Sequence, residues 1–370
     1  MRILHFITSL RTGGAERLVT DLSAQLRKGG DTVSLLVLDG TRTPLMAQAE
    51  RSGVAVDALS SGWRAMRNPL LLVRLVRYLR THPCEIVHTH NTSCQLMAAA
   101  ASAFLPLTLV TTEHNTANRR RERAVFRVLD RWMYARYRRI VCVGGETRSA
   151  LEAWLDREEL SRRMEEIPNG VDLQGIPTAA PAPDLALQEG YKLLMVSAFR
   201  PEKDQQTLIR SLALLPSSYH LFLAGGAETP SHQAILEACK TLTSSLNLCD
   251  RVHFLGPRID VPGLYAAADL VSYSSHHEGM SLSVLEGMAS GKPLIASDVA
   301  GMRELVGGAG LLFPEGDAEA LAACIRQICE HPALARSVAA RCRERAARFD
   351  IAETARRYRQ LYETIIQTPS

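Results

Sequence analysis

The chain has 370 residues, of which 46% are hydrophobic and 22% are charged, and its formal net charge is +4. This length exceeds what one hydrophobic core usually supports, so two domains are expected. The small net charge does not call for nucleic acid as a partner. The eight cysteines include no C-x-x-C pair, which favours free thiols over a disulfide framework or a zinc site.

The N-terminal half predicts a parallel sheet covered by helices. Helical stretches such as "ERLVTDLSAQLRKGG" alternate with the β-rich runs "RILHFIT", "TVSLLVL", "CEIVHTH", "LTLVTTEH" and "RIVCVG". The first run lacks the features of a signal peptide, so we expect a cytoplasmic protein. Pro106 interrupts the apolar stretch "CQLMAAAASAFLPLTLV", which we interpret as a helix and a strand rather than a membrane span.

The C-terminal half repeats this pattern after a break. The break is "GIPTAAPAPDLALQEGY", which is rich in Pro and Ala and without periodicity, and we interpret it as a linker. The β-rich runs then resume as "KLLMVSAF", "HLFLAGG", "RVHFLG", "LVSYSS", "PLIASD" and "GLLFP". The sequence therefore predicts one α/β domain over residues 1–175 and a second over 190–350, with a ligand at the carboxyl ends of the sheets.

Two adjacent glycines, Gly13 and Gly14, follow the first predicted strand. Their spacing differs from the G-x-G-x-x-G of dinucleotide-dependent dehydrogenases, which disfavours an oxidoreductase. Glycine allows a ligand to approach the backbone closely, and a helix N-terminus offers N–H groups to an anionic or hydroxylated group. A plain strand-to-helix turn is the alternative interpretation.

A second candidate site lies in "EGMSLSVLE", where Glu286 follows Glu278 by eight residues. Eight helical steps would separate the two acids by roughly 12 Å, which is beyond the roughly 5–9.5 Å of paired glycosidase carboxylates. We expect them to bind different hydroxyls of one extended ligand. The helix N-terminus between them suits a phosphate, with N–H groups from Gly279, Met280, Ser281 and Leu282. A sugar nucleotide fits this arrangement.

Five motifs carry a resemblance to a known family. In chain order they are "GGAE", "IPNGVD", "FRPEKD", "VHFLGPRIDVPGLYAAADL" and "EGMSLSVLEGMASGKPLIASDVAG". Together they resemble glycosyltransferase family 4, the retaining GT-B type, over nearly the whole chain. The resemblance implies an α/β fold of the GT-B class, with two Rossmann-like βα domains that face each other across a cleft. It also implies that the N-terminal domain binds the acceptor, and that a C-terminal helix, about 351–370, crosses back onto that domain.

The resemblance also implies roles for individual residues. Glu286 would bind the ribose hydroxyls, Glu278 the hydroxyls of the donor sugar, and Lys203 the diphosphate leaving group. The Gly13–Gly14 turn would lie against the donor phosphates and sugar, and His114 would lie near the transferred sugar and the acceptor. We therefore predict His114, Lys203 and Glu278 as catalytic residues.

One position departs from the family pattern. The family has an arginine five residues before the lysine, where this chain has Ala198. Arg200 is the candidate for the second cation, and we count it among the donor-binding residues. The resemblance implies same-face attack in which the leaving phosphate takes the acceptor proton, without a protein nucleophile or a cofactor.

Histidine pairs raise the question of a metal. His88 and His90 lie on one face of a predicted strand, and His276 and His277 are adjacent downstream. No third ligand stands at metal spacing in the sequence, so we expect no metal site. Lining of the ligand site or packing at the strand end is the interpretation that we prefer.

The segment "NRRRERAVFRVLDRWMYARYRR" holds nine arginines against two acids, with apolar residues at helical spacing. One interpretation is a solvated surface helix. The other is docking of Arg119–Arg139 on an anionic membrane surface, with Phe126, Trp132 and Met133 inserted. A second basic and apolar run, "WRAMRNPLLLVRLVRYLR", lies in the same half.

These features together predict a retaining, metal-independent hexosyltransferase. Its donor would be a UDP- or GDP-sugar and its acceptor a glycan or a lipid-linked glycan, in the biosynthesis of cell-surface polysaccharide or glycolipid. It would be cytoplasmic, with peripheral attachment at the inner face of the cytoplasmic membrane. Two alternatives stay open: a sugar-nucleotide epimerase or hydrolase of the same fold, and a non-catalytic subunit that binds a nucleotide sugar.

Overall fold

The chain folds as two compact units, one formed by residues 1–170 with 351–370 and the other by residues 171–350. The computed structural model describes residues 1–11, 13–62, 68, 70–116, 119–176 and 178–368, without the side chains of Arg119 and Glu122. The start of the second basic run, residues 63–67, lies outside the described residues.

A seven-stranded parallel sheet forms the centre of the first unit. Its strands are β1 (Arg2–Ile7), β2 (Thr32–Asp39), β3 (Ala55–Ser60), β4 (Ile86–His90), β5 (Leu109–Glu113), β6 (Arg139–Cys142) and β7 (Met164–Glu166). Across the sheet their order is β3-β2-β1-β4-β5-β6-β7. The sequence runs predict five of these strands. They miss β3 and β7, because these strands lie at the two edges of the sheet and expose several side chains, which interrupts the apolar pattern.

Helices cover both faces of this sheet. They are α1 (Gly14–Lys28), α2 (Pro44–Arg51), α3 (Leu71–Thr81), α4 (Thr92–Ala101), α5 (Val125–Tyr134), α6 (Gly145–Leu155) and α7 (Glu158–Ser161). One face carries an apolar core in which Leu4 and Phe6 of β1 pack with α3, α4, α5 and α6. His5, between them, points to the opposite face, because side chains alternate along a strand.

The second unit has a six-stranded parallel sheet. Its strands are β8 (Tyr191–Val196), β9 (Tyr219–Ala224), β10 (Val252–Gly256), β11 (Leu270–Tyr273), β12 (Leu294–Ser297) and β13 (Leu311–Phe313). The order β10-β9-β8-β11-β12-β13 reverses direction between β8 and β11. In open α/β sheets, ligands bind outside the carboxyl ends of the strands at such a reversal.

The helices of the second unit are α8 (Pro183–Ala186), α9 (Gln205–Ala213), α10 (Pro230–Ser245), α11 (Val261–Ala267), α12 (Leu282–Ala289), α13 (Ala300–Val306), α14 (Ala318–Glu330) and α15 (Pro332–Ala346). The first of them corrects the linker prediction. Helix α8 lies inside the predicted linker, Leu185 is fully buried, and the Ala182 N–H donates to the Gly263 carbonyl at 2.9 Å. High Pro and Ala content therefore concealed a segment that packs on α11.

The last helix, α16 (Ile351–Gln367), belongs to the first unit and packs on α1. The Thr354 hydroxyl donates to the Pro168 carbonyl at 3.1 Å. Tyr358 and Tyr362 are fully buried and reach the face of the sheet that carries His5. Among the described residues, no helix has the length and apolar character that crossing a bilayer requires.

Candidate functional site

In the second unit, the loops that follow β8 and β11 bring two predicted site residues into contact. Residues 202–204 run beside residues 274–276, and the Asp204 N–H donates to the Ser274 carbonyl at 3.0 Å. This pairing fixes Lys203 next to the second loop, where its Nζ donates to Oε1 of Glu278. The sequence predicted both residues in one site but did not predict their direct contact.

The Lys203–Glu278 pair is largely buried, with 13% and 12% of the two side chains exposed. Burial lowers the pKa of Lys203 to about 8. The carboxylate of Glu202 acts on this pKa in the opposite direction, because an opposite charge favours the ammonium form, and the nearby Arg200 lowers the pKa further. A buried ion pair keeps two charges out of water at a desolvation cost that only good partners offset. An anionic ligand is therefore a suitable second partner for Lys203.

A cavity of about 390 Å³ adjoins this pair. Arg200 and Lys203 both line it, together with Asp204, Gln205, Arg210 and His276. The Nε of Arg200 is buried and has no hydrogen-bond partner among the described residues. Ala198, at the family's usual arginine position, contributes only its carbonyl, which accepts a bond from Gln205 at 3.2 Å. Arg200 thus brings a cation to the cavity beside Lys203, as the exposed Arg210 also does, and its predicted role is compatible with this position.

Helix α12 starts directly after the Glu278 loop, with Ser281 at its N-cap. In the described part of the chain, no side chain caps this helix through a hydrogen bond, so its dipole favours an anion at this end. Glu286 is half-buried in the second turn of the helix. The hydroxyl of Tyr273 donates to the Ser283 carbonyl at 2.5 Å and fixes the helix against β11.

Gly301, which sequence reasoning did not single out, determines how closely α13 approaches this loop. A Cβ at position 301 would overlap the carbonyl oxygens of Glu278 and Gly279. Only glycine therefore allows the start of α13 to pack against the backbone that carries Glu278. Gly301 is the last residue of "DVAG" in the longest motif, but its role depends on a tertiary contact that the motif does not reveal.

In the first unit, α1 begins at the predicted glycine turn. Gly13 is the N-cap in an extended conformation, and no side chain within the described ranges caps the helix through a hydrogen bond. A Cβ on Gly14 would meet nothing within 4 Å, whereas one on Gly13 would overlap the carboxylate of Glu16. The open side of the turn is therefore at Gly14, where a ligand can reach the backbone.

Four histidines lie together on the first unit's sheet: His5 in β1, His88 and His90 in β4, and His114 directly after β5. His5 Nδ1 is 3.0 Å from His90 Nε2, and His90 Nδ1 is 3.1 Å from His114 Nε2. His88 contacts the Tyr362 hydroxyl at 2.6 Å through Nδ1. Burial lowers the pKa of His5 to about 3 and that of His114 to about 4. It holds the pKa values of His88 and His90 well below the ordinary value, so all four imidazoles are neutral near pH 7.

The expectation that His88 and His90 have no third ligand is wrong. Nitrogen atoms of His5, His88 and His90 all lie within 4.8 Å of one another. His5 was missed because it comes from β1, far away in the sequence, and pairs in register with His88 only through the sheet order. Neutral imidazoles are ligands for transition metals, so the absence of a metal stays a prediction. His276 lies in the second unit, where it contacts Glu315 at 2.7 Å.

The basic segment of the first unit combines structural arginines with an exposed apolar row. Arg120 pairs with Asp130, and Arg121 lies 3.5 Å from Glu113. Met133 is 1% exposed and belongs to the core, so the expectation that it inserts into a membrane is wrong. The reason is that this face of α5 packs against α4. The exposed apolar residues of α5 are instead Val125, Val128, Leu129 and Trp132.

Comparisons with known proteins identify the family. The model described as "Glycosyltransferase Family 4" matches residues 12–174, and the model described as "Glycosyl transferases group 1" matches residues 190–331. The two matches follow one another along the chain and together span most of it.

Similar proteins match nearly the whole chain. The lipopolysaccharide core biosynthesis mannosyltransferase LpsB of Rhizobium meliloti is 28% identical, over 80% of this chain and 84% of that protein. The phosphatidyl-myo-inositol mannosyltransferase of Mycolicibacterium smegmatis is 25% identical, over 95% and 90%. The crystal structure of Anabaena HepE in complex with UDP-glucose is similar with a TM-score of 0.85 at 22% identity, covering 98% of this chain and all of that one. These matches confirm the α/β GT-B fold class, and the chain belongs to the family 4 type of GT-B glycosyltransferases.

Proposed function

We propose that the protein is a retaining, metal-independent glycosyltransferase that moves a sugar from a UDP- or GDP-sugar to a glycan or lipid-linked glycan acceptor. The observation that carries this proposal is the buried Lys203–Glu278 pair beside a cavity that Arg200 also lines. Two cations suit a diphosphate, and a carboxylate next to them suits sugar hydroxyls. The UDP-glucose complex of HepE supports a nucleotide-sugar donor.

The proposed reaction needs charge and position more than acid–base groups. The bond between the anomeric carbon and the diphosphate oxygen breaks, so negative charge grows on the leaving group. Lys203, Arg200 and the N-terminus of α12 stabilise that charge. The acceptor oxygen bonds to the anomeric carbon on the same face, and its proton moves to the leaving phosphate oxygen. No protein nucleophile takes part, and the nucleotide sugar is a substrate rather than a cofactor.

Donor binding in this proposal replaces part of the ion pair. Lys203 Nζ turns from Glu278 to the diphosphate, and the freed carboxylate of Glu278 accepts hydrogen bonds from the donor sugar. Glu286 accepts from the ribose hydroxyls. Before the donor binds, the Lys203 ammonium and the Glu278 carboxylate therefore neutralise each other, so that neither charged group is buried without a partner.

The acceptor proposal rests on the relatives and on the surface of α5. LpsB is named for lipopolysaccharide core biosynthesis, and the M. smegmatis enzyme is a phosphatidyl-myo-inositol mannosyltransferase. On α5, Val128 is 71% and Trp132 39% exposed, and the guanidinium of Arg136 lies 5.5 Å from the Trp132 ring centroid. Apolar and cationic side chains in one row suit the surface of an anionic membrane. We propose peripheral attachment there, at the cytoplasmic face.

The transfer is tested with the purified full chain. Isothermal titration with UDP-, GDP- and ADP-sugars selects the donor, and incubation with that donor and a lipid-linked glycan extract follows, with and without EDTA. NMR of the product should show the anomeric configuration of the donor in both cases. Inversion contradicts the retaining mechanism, and loss of activity in EDTA that magnesium or manganese restores contradicts metal independence. Free sugar or an epimer formed without acceptor supports the hydrolase or epimerase, and binding without turnover supports a binding subunit.

Membrane attachment is tested by sedimentation with vesicles that contain anionic lipid, at low and high salt. The segment variant should change Arg123 and Arg136 to Gln, because both side chains are exposed, whereas Arg120 and Arg121 form internal ion pairs. The control changes Arg336 and Arg341, which are exposed on α15, to Gln. The wild type and control should sediment at low salt and the segment variant should not. A wild type that stays in the supernatant contradicts the attachment, because charge attraction is strongest at low salt.

A further inference from the structure

The row of imidazoles in the first unit connects the sheet interior to a predicted site residue. His5 and His90 are fully buried, and His114 is half-buried directly after β5. Contacts of 3.0 Å and 3.1 Å join His5 to His90 and His90 to His114. Each contact joins an Nδ1 to the Nε2 of the next ring, so the orientation is the same along the row.

The end of the row at His5 determines where the protons lie. Among the described residues, His5 Nε2 has no hydrogen-bond partner, and it is buried. A buried N–H without an acceptor is costlier and rarer than a buried acceptor without a donor. His5 therefore carries no proton at Nε2, and the Nδ1–H of His5 donates to His90 Nε2. His90 must then be protonated at Nδ1, which donates to His114 Nε2.

This order leaves His114 with its proton at Nδ1 and its Nε2 occupied. In a neutral imidazole one nitrogen donates and the other accepts, and the only accepting nitrogen is already used. His114 can therefore give a hydrogen bond to a ligand but has no free nitrogen with which to take a proton.

We propose that His90 and His5 are positioning residues that fix His114 as the Nδ1–H tautomer, so that it acts as a hydrogen-bond donor to a substrate oxygen and not as a general base. The inference rests on the proposed function in giving His114 a substrate. His88 supports the row from the side, because its ring lies 4.2 Å from that of His90 between centroids. Two hydroxyls hold His88, those of Tyr362 and Thr112, the second at 2.8 Å.

Tautomers are measured directly by long-range ¹H–¹⁵N NMR of the full chain labelled at histidine, near pH 7.5. We expect His114 to show a protonated Nδ1 and an unprotonated Nε2. The measurement needs no turnover, so it decides the tautomer even if no donor sugar is ever transferred and the proposed function fails. A His114 protonated at Nε2 in the wild type overturns the inference.

Two variants of His90 separate positioning from packing. In His90→Asn the amide nitrogen lies near the place of Nδ1 and keeps the donor to His114, whereas in His90→Gln it lies near Nε2 and loses that donor. We expect the Asn variant to keep the His114 tautomer and nearly the wild-type kcat. The Gln variant should gain the Nε2–H form and lose about tenfold in kcat with little change in KM for the donor. His82→Gln, at an exposed position, is the control.

Equal tautomers and equal kcat values in the Asn and Gln variants contradict the inference. So does a stoichiometric zinc ion retained after incubation with zinc chloride and gel filtration, accompanied by changed His5 and His90 resonances. Such an ion would take nitrogen lone pairs that the row uses for its hydrogen bonds.

Discussion

The two units hold their buried polar groups in opposite ways. The first unit holds neutral imidazoles and hydroxyls on one face of its sheet, where they bond to one another in a fixed network in which, among the described residues, His5 Nε2 has no partner. The second unit places a charged pair, Lys203 and Glu278, beside a cavity. A neutral network fixes orientation, because each ring has one donor and one acceptor. A charged pair can instead attract a ligand strongly, because Lys203 or Glu278 can exchange its partner for a group of the ligand.

The largest effect expected from this difference is the acid sensitivity of the first unit. In the unfolded chain a histidine takes up a proton near pH 6.5, whereas in the folded unit His5 and His114 stay neutral down to about 3 and about 4. Below pH 6.5 the unfolded state therefore binds more protons than the folded state. Stability is complete above pH 6.5 and falls by about 1.4 kcal/mol per histidine and pH unit below it.

Tryptophan fluorescence isolates this unit, because Trp132 and Trp154 lie in it and no tryptophan occurs within residues 171–350. Denaturant midpoints should fall steeply between pH 6.5 and 4.5. A His82→Gln control, at an exposed position, should follow the wild type. Midpoints that do not change over this range would mean that the histidines are not held neutral.

In the second unit, Lys203→Ala should reduce kcat by about a hundredfold or more, because the charge of the leaving group is largest in the transition state. Arg200→Ala should reduce it less, since Arg200 is one of several cationic residues that line the cavity. Lys240→Ala, at a surface ion pair, is the matched control. The family pattern has an arginine where this chain has Ala198. Full activity in Arg200→Ala would show that Arg200 does not replace that arginine.

Gly301→Ala tests the packing under the Glu278 loop. The added Cβ would overlap the Glu278 carbonyl, so the loop must move, and we expect about a tenfold loss of affinity for the donor nucleotide. Gly175→Ala is the control, because its Cβ would meet only the Asp172 carboxylate, at an ordinary 3.5 Å. Calorimetry that finds equal affinities in both variants would contradict the role of Gly301.

A smaller effect concerns the pH dependence of nucleotide binding. Burial lowers the pKa of Lys203 to about 8 in the protein without a nucleotide. A bound diphosphate should raise this pKa, because its negative charge favours the ammonium form. Affinity should therefore be constant below pH 8 and fall by about tenfold per pH unit above it, until the pKa of the complex is reached. Titrations from pH 7 to 9.5 in two buffers should also detect proton uptake above pH 8. Affinity that is independent of pH would show that Lys203 does not touch the diphosphate.

Features encoded over short stretches were predictable from the sequence. The central strands, the start of α1 at the glycine turn and the α12 N-terminus between two acids follow from periodicity, glycine positions and an eight-residue spacing. The edge strands β3 and β7 of the first unit were missed because their exposed side chains interrupt the apolar pattern.

The long-range contacts could not be predicted in this way. His5 joins His88 only because β1 and β4 are neighbours in the sheet. Lys203 meets Glu278 only because the loops after β8 and β11 run side by side. The burial of Met133 depends on which face of α5 packs against α4. Each of these requires the sheet order and helix packing, which no local pattern of residues contains.

The central claim is that the second unit holds a nucleotide through Glu286 and the Lys203 cavity. The most direct measurement is calorimetric titration of the full chain and of Glu286→Ala with UDP and GDP. One nucleotide should bind the wild type, and Glu286→Ala should weaken it by about 10- to 150-fold, since a charge-assisted contact to ribose hydroxyls is worth roughly 1.5–3 kcal/mol. Equal affinity in the variant, or no binding of either nucleotide to the wild type, would contradict the account.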